Sequence, residues 1–215
     1  MNPALRIGFV SLALLALTAA QPSLAGTRQE LNFQVYLGER PIGTHRFELL
    51  PHPGGYRVLS EAAFSVRVLM FEAFRYEHRS EELWRNDCLQ SIEARTQAND
   101  DRYYVAGRAD DDALHLDTHV GSTRLEGCVM TFAYWNPAIL RAERLLNAQT
   151  GEYLPVRITP LGTRTLAHAK DASEARGYRL STAETEIDVW YAPDDRLLAL
   201  ESTTTRGDRL RYAAQ

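Results

Sequence analysis

Lysine is nearly missing from this chain. Lys170 stands alone among 24 basic side chains, and the rest are arginine, a preference that reads as a compositional bias of the source genome. Against 28 acidic residues the net charge is −4. That balance excludes the concentrated positive surface a sequence-independent grip on nucleic acid requires. Catalytic signatures are also lacking. There is no Gly-x-Ser-x-Gly elbow, no Ser-x-x-Lys, no His-Glu-x-x-His and no phosphate-cradling loop, so the common nucleophile, zinc-hydrolase and nucleotide motifs are out. Past residue 20 no apolar run reaches the length of a membrane-spanning helix. No Pro/Gly/Ser linker, internal repeat or low-complexity tract divides the chain, and its length suits one domain with a substantial core.

Met1–Arg6 carries one positive charge and leads into the apolar, small and hydroxyl stretch Ile7–Ala20. Gln21-Pro22-Ser23-Leu24-Ala25 follows, with small residues at Ser23 and Ala25 as signal peptidase requires. The expectation is a signal peptide over residues 1–25 and a mature, soluble, periplasmic β-rich domain over 26–215. No cysteine follows the cut to carry a lipid anchor. Removing Arg6 from the 24 basic residues leaves 23 against 28 acidic ones, a charge of −5. The two cysteines, Cys88 and Cys128, bound for an oxidising space, are expected to form a structural disulfide.

What the sequence has in abundance is period-two alternation, with almost no sustained helical periodicity. Leu31, Phe33, Val35 and Leu37 alternate with polar residues before a turn at Gly38–Gly43. The longest alternation sets Tyr56, Val58, Ala62, Phe64, Val66 and Val68 on one face against Arg57, Glu61, Ser65 and Arg67 on the other. Further short strands follow to Tyr212, separated by turn residues such as Asn99-Asp100-Asp101. The fold class expected is all-β: a strongly curved antiparallel sheet, a half-barrel or open barrel, with one short helix on or near its concave face. That helix has Asn136 as N-cap and Pro137 at its first position, and runs two to three turns before Gly151. Charge on the strand faces opposite the apolar ones disfavours an outer-membrane barrel.

Phe33-Gln34-Val35-Tyr36-Leu37-Gly38 with Pro41-Ile42-Gly43-Thr44, Tyr76 with Trp84, Tyr134-Trp135-Asn136-Pro137, Leu145–Gly151 and Trp190-Tyr191 together resemble a group of exported bacterial domains of unknown function with a half-barrel, lipoprotein-carrier-like architecture. The resemblance implies a fold and a compartment, with carriage of lipid or apolar ligands as an analogy. It supplies no catalytic residue.

Phe74, Tyr76, His78 and Trp84 share one strand face, and Phe132, Tyr134 and Trp135 sit where a strand meets the helix. These seven are the candidate ligand-binding residues, as pocket wall or as core. His115, Asp117 and His119 share a strand face at a spacing that could hold a metal, but the apolar neighbours Leu114, Leu116 and Val120 claim the buried side, so no metal or cofactor is expected. The reading is an exported, non-enzymatic binder of an apolar or lipid-like molecule or of an envelope protein. One alternative is a hydrolase or isomerase using His78 with a carboxylate among Glu61, Glu77, Glu81 and Glu82. The other is a structural or assembly factor of the envelope.

Overall fold

The computed structural model describes residues 27–68, 71–166, 173–204 and 207–215. The expected leader, residues 1–25, lies outside them. Eight strands come first: β1 (Gln29–Leu37), β2 (Arg40–His52), β3 (Gly55–Val68), β4 (Phe71–Arg85), β5 (Cys88–Ala98), β6 (Asp101–Ala109), β7 (Ala113–Thr118) and β8 (Gly121–Glu126). A 3-10 turn at Pro137–Arg141 and the short strands β9 (Arg144–Leu146) and β10 (Tyr153–Pro155) follow. Five more strands complete the chain: β11 (Arg157–Leu166), β12 (Ser173–Ser181), β13 (Glu186–Tyr191), β14 (Leu197–Thr203) and β15 (Arg209–Ala214).

Thirteen of these form one antiparallel sheet in the order β11-β12-β13-β14-β15-β1-β2-β3-β4-β5-β6-β7-β8. The first and last thirds of the chain are joined through β1 and β15, where Val35 faces Tyr212. β8 and β11 are left as edges, so the sheet is not closed. Tight turns drive the meander. Between β4 and β5, Asn86 and Asp87 both adopt positive φ, 50° and 62°, the backbone of the two-residue hairpin whose twist matches its strands.

The outward face of β3 and β4 is charged, with Arg57 on Glu81 and Arg79 on Glu61 across the two strands and Arg75 on Glu77 along β4. Such exposed pairs contribute little stability. Stability comes from the other face, where Phe33, Phe47, Leu49, Val58, Trp84, Leu89, Ile92 and Val105 are buried.

Filling that concave face is the task of the chain between β8 and β11. Val129, Ala133, Trp135, Ile139, Leu145 and Leu146 are all buried in the same core cluster as the strands. The segment enters by main-chain pairing, Leu89 N–H donating to the Val129 carbonyl at 2.9 Å. It then lies beside itself, Leu146 N–H donating to Met130 at 2.8 Å.

The amphipathic helix of two to three turns expected after Pro137 is not formed; one 3-10 turn stands in its place. The start is as the sequence indicates, with Asn136 accepting from Ala138 N–H at 2.9 Å and Pro137 in the first turn. The stop comes early because the curved sheet surrounds the segment and buries both faces of an extended chain, with Leu145 and Leu146 on opposite faces and both fully buried. A helix lying on a sheet buries one stripe, whereas an extended segment packed on both sides buries both faces. The chain therefore goes extended at Ala142 and pairs β9 with β10.

Candidate functional site

Strand register lays the inner face of β2, β3, β4 and β5 out in rows. The first is Gly43, Phe64, Tyr76, Ala98; the second His45, Ala62, His78, Thr96; the third Phe47, Ser60, Ser80, Ala94; the fourth Leu49, Val58, Glu82, Ile92; the fifth Pro51, Tyr56, Trp84, Leu89. Large rings occupy the first and fifth rows, while Ser60, Ala62 and Ser80 between them are small. Side chains this short cannot reach the crossing segment, and a cavity of about 330 Å³ remains above them. Phe132, Tyr134 and Trp135 from the crossing segment and Tyr212 from β15 close it from the other side. The volume lies at the small end of ligand-binding cavities.

Of the seven candidate residues, Tyr76, His78, Phe132, Tyr134 and Trp135 line this cavity. Trp84 does not: it is 1 % exposed and packs edge-on to Trp135 with centroids 5.5 Å apart. Phe74 stacks beside Tyr76 at 6.4 Å but is 37 % exposed and outside the cavity. His45, Ser60, Ser80 and Tyr212 line it without having been candidates. Tyr76 and Tyr134 keep their protons, because burial pushes both phenols far above their ordinary range.

The cavity's polar belt is sparsely partnered. His45 Nε2 and Ser60 Oγ are 2.8 Å apart, while buried His45 Nδ1 has no hydrogen-bond partner among the described residues. His78 Nδ1 meets Thr96 Oγ1 at 2.8 Å. Trp84 Nε1 and Thr131 Oγ1 both donate to one oxygen of Glu82, at 2.8 and 3.5 Å. Glu61, Glu77 and Glu81, the other carboxylates considered, are outside in ion pairs.

The family model of a domain of unknown function, DUF6134, matches residues 33–215. The chain belongs to this family. Its fold is similar to the crystal structure of a beta-barrel-like protein of domain of unknown function DUF1849 from Brucella abortus, with a TM-score of 0.65 over 87 % of this chain and 95 % of that one. Identity between the two is 7 %, so the likeness is one of fold. The search of curated proteins found no match.

Elsewhere in this DUF6134 chain the other candidates face solvent. His115 Nε2 lies 2.7 Å from Asp110, Asp117 accepts from Ser122, and His119 packs edge-on to Tyr103. Cys88 and Cys128 form the expected disulfide, with Cα atoms 5.1 Å apart. Among the described residues no helix is long and apolar enough to cross a membrane.

Burial sets the protonation of the belt and makes stability depend on pH. It pushes His45 down from 6.5 to about 3, with the neighbouring His78 charge adding to the effect, and His78 down to about 4. Both imidazoles stay neutral in the folded protein, whereas unfolding lets them take up protons below 6.5. Their contribution is present above 6.5 and lost as the pH falls. Burial lifts Glu82 from 4.5 to about 7, against the downward pull of its hydrogen bonds from Trp84 and Thr131. Its contribution is full below 4.5 and lost as the pH rises toward 7. Between these limits the unfolded state binds two extra protons and the folded state one, so stability should rise with pH by about 1.4 kcal/mol per unit. Above 6.5 only Glu82 remains and the slope reverses. Urea midpoints measured from pH 4 to 8 should therefore peak near 6.5, and Glu82→Gln should steepen the acid limb and remove the descending one. A flat profile would contradict the assigned burial.

Proposed function

We propose that this protein is an exported, non-enzymatic carrier of a small amphipathic, lipid-like molecule. The observation that carries the reading is the cavity: about 330 Å³ of space held open by Ser60, Ala62 and Ser80, with aromatic rings on one side and under-partnered polar groups on the other. Apolar walls with a few convergent polar groups are the usual make-up of a small-molecule site. Export is supported by the apolar leader with its Ser23/Ala25 cleavage pattern and by a disulfide of the kind oxidising compartments retain.

The hydrolase reading is weaker. His78 has a threonine hydroxyl, not a carboxylate, on Nδ1. Glu82 is four residues along the same strand, about 13 Å at strand rise. His45 and Ser60 make a base–hydroxyl contact, but no acidic group among the described residues meets His45 Nδ1 to orient such a base.

Protein recovered from the periplasm should begin near Gly26 and, in native mass spectrometry, carry a small molecule released on unfolding. Ser80→Leu, which fills the cavity floor, should emerge empty. Wild-type protein that is always empty, or a Ser80→Leu variant carrying the same mass, would sink the carrier reading.

A further inference from the structure

Resting on that carrier reading, we propose that the cavity selects an apolar chain ended by an organic ammonium group. The charge inventory of the walls points there. Although the protein is rich in arginine, no Lys or Arg is among the described residues lining the cavity. Its buried charged group is Glu82, 6 % exposed, set in a row between Val58 and Ile92. Glu201 also contributes to the wall, but its carboxylate is held by Arg164 and Arg209.

Among the described residues Glu82 has no cation beside it. Both its hydrogen bonds, from Trp84 Nε1 and Thr131 Oγ1, end on the same oxygen, so the other oxygen has no donor among the described residues. A buried carboxyl kept in an otherwise apolar row is costly, and an apolar residue of similar size there is commonly at least as stable. Its retention makes sense where a partner arrives from outside. An anionic head group would meet a carboxyl and no positive charge. A neutral one would leave the carboxyl protonated. An ammonium would pair with the free oxygen, while Trp135, which packs on Trp84 in the row next to Glu82, offers the cation–π surface that quaternary ammonium groups favour.

The surrounding titratable groups do not compete. On β2 and β4, His45 and His78 are held neutral by burial. Tyr76 on β4, Tyr134 on the crossing segment and Tyr212 on β15 are held protonated. Glu201 on β14 is engaged by its two arginines. Burial lifts Glu82 to about 7 against the pull of its two hydrogen bonds, so a permanent cation would displace its proton, and binding would weaken as the pH falls.

Calorimetric titration of the mature protein at pH 8 with octyltrimethylammonium, octanoate and octanol, each below its micelle concentration, tests this. The ammonium should bind at least about tenfold more tightly than the other two, a difference within reach of one paired charge. Its affinity should fall about tenfold per unit below pH 7, since the probe itself does not titrate. Glu82→Gln, whose amide oxygen can still accept from Trp84, should erase both the preference and the pH dependence, and Glu82→Asp should keep the preference. If Glu82→Gln does not fold, the wild-type pH profile carries the test alone. Octanoate binding as tightly as the ammonium, a flat profile, or a folded Glu82→Gln variant that keeps the preference would overturn the proposal. Equal binding of all three probes, lost together in Ser80→Leu, would leave the carrier reading standing and remove charge selection. No binding by any probe would remove both. The mass recovered with periplasmic protein then separates an aminophospholipid from a free long-chain amine.

Discussion

Trp84→Ala is expected to lower stability by about 3–5 kcal/mol, the range for deleting a large aromatic from a packed core. Trp84 is 1 % exposed and meets Trp135 edge to face at 88°. Trp135 in turn meets Tyr56 at 6.1 Å. Removing the indole takes away the contact by which Trp135 of the crossing segment rests on β4. The space also cannot collapse easily, because the row above it already borders the cavity through Glu82. A second loss adds to the first: Glu82 forfeits its shorter hydrogen bond. Trp84→Phe separates the two effects. It keeps most of the ring and drops the donor, so it should cost about 1–3 kcal/mol, as for a buried acceptor left without its partner. Glu82 should then titrate higher still, since that bond pulls it down. Urea unfolding with an unchanged m-value measures both variants. Equal costs for Phe and Ala would mean that packing against Trp135 contributes nothing.

How much of this was legible in the sequence differs between strand face and strand register. Alternation along residues 71–85 puts Tyr76, His78 and Trp84 on one face, and the same parity puts Ser80 and Glu82 there too. The signal for those two was present, and their polarity masked it, because a polar residue in a strand is ordinarily taken as solvent-facing. His45 was hidden for the same reason, between Gly43 and the buried Phe47. What alternation cannot supply is which residue lies opposite which. The cavity depends on Ser60 facing Ser80 and Ala62 facing His78, and that follows from the length of the turn between β3 and β4 and from the bulge beside it, the shift between Val66 and Arg67.

The chain between the two halves of the sheet was harder still. Its Asn-Pro cap reads correctly, but Leu145 and Leu146 fit a helical stripe as well as a strand buried on both sides. Only the presence of the curved sheet around them decides. The seven candidates divide accordingly. Those from the crossing segment reach the cavity, whereas Trp84 and Phe74 lie one row too far at opposite ends of the same strand face.

Removing the disulfide, by Cys88→Ser with Cys128→Ser or by reduction, is expected to cost about 4 kcal/mol in the chain-entropy model for a loop of this length; the bonded cysteines are 40 residues apart. The position of the bond indicates where the loss is felt first. Cys88 opens β5, and Cys128 stands where the chain leaves the β8 edge for the interior. Beside the bond, Leu89 N–H holds the Val129 carbonyl, and Asn136 Nδ2 donates to Asp87 Oδ1 at 2.9 Å. These three ties share one corner of the sheet and hold one end of the segment that closes the cavity. On that side Tyr191 then supplies an anchor further along, its hydroxyl donating to the Tyr134 carbonyl at 2.8 Å. Without the covalent tie, residues 129–136 should open before the sheet does. Hydrogen exchange at Leu89 and Leu146 amides, both paired to this segment, should accelerate more than at Ile92 in the middle of β5. Ligand retention should fall with it, since the wall formed by Phe132, Tyr134 and Trp135 is the part released. Uniform acceleration across all three amides would show that the bond restrains only the unfolded chain, and a stability loss well under 1 kcal/mol would contradict the loop-closure account.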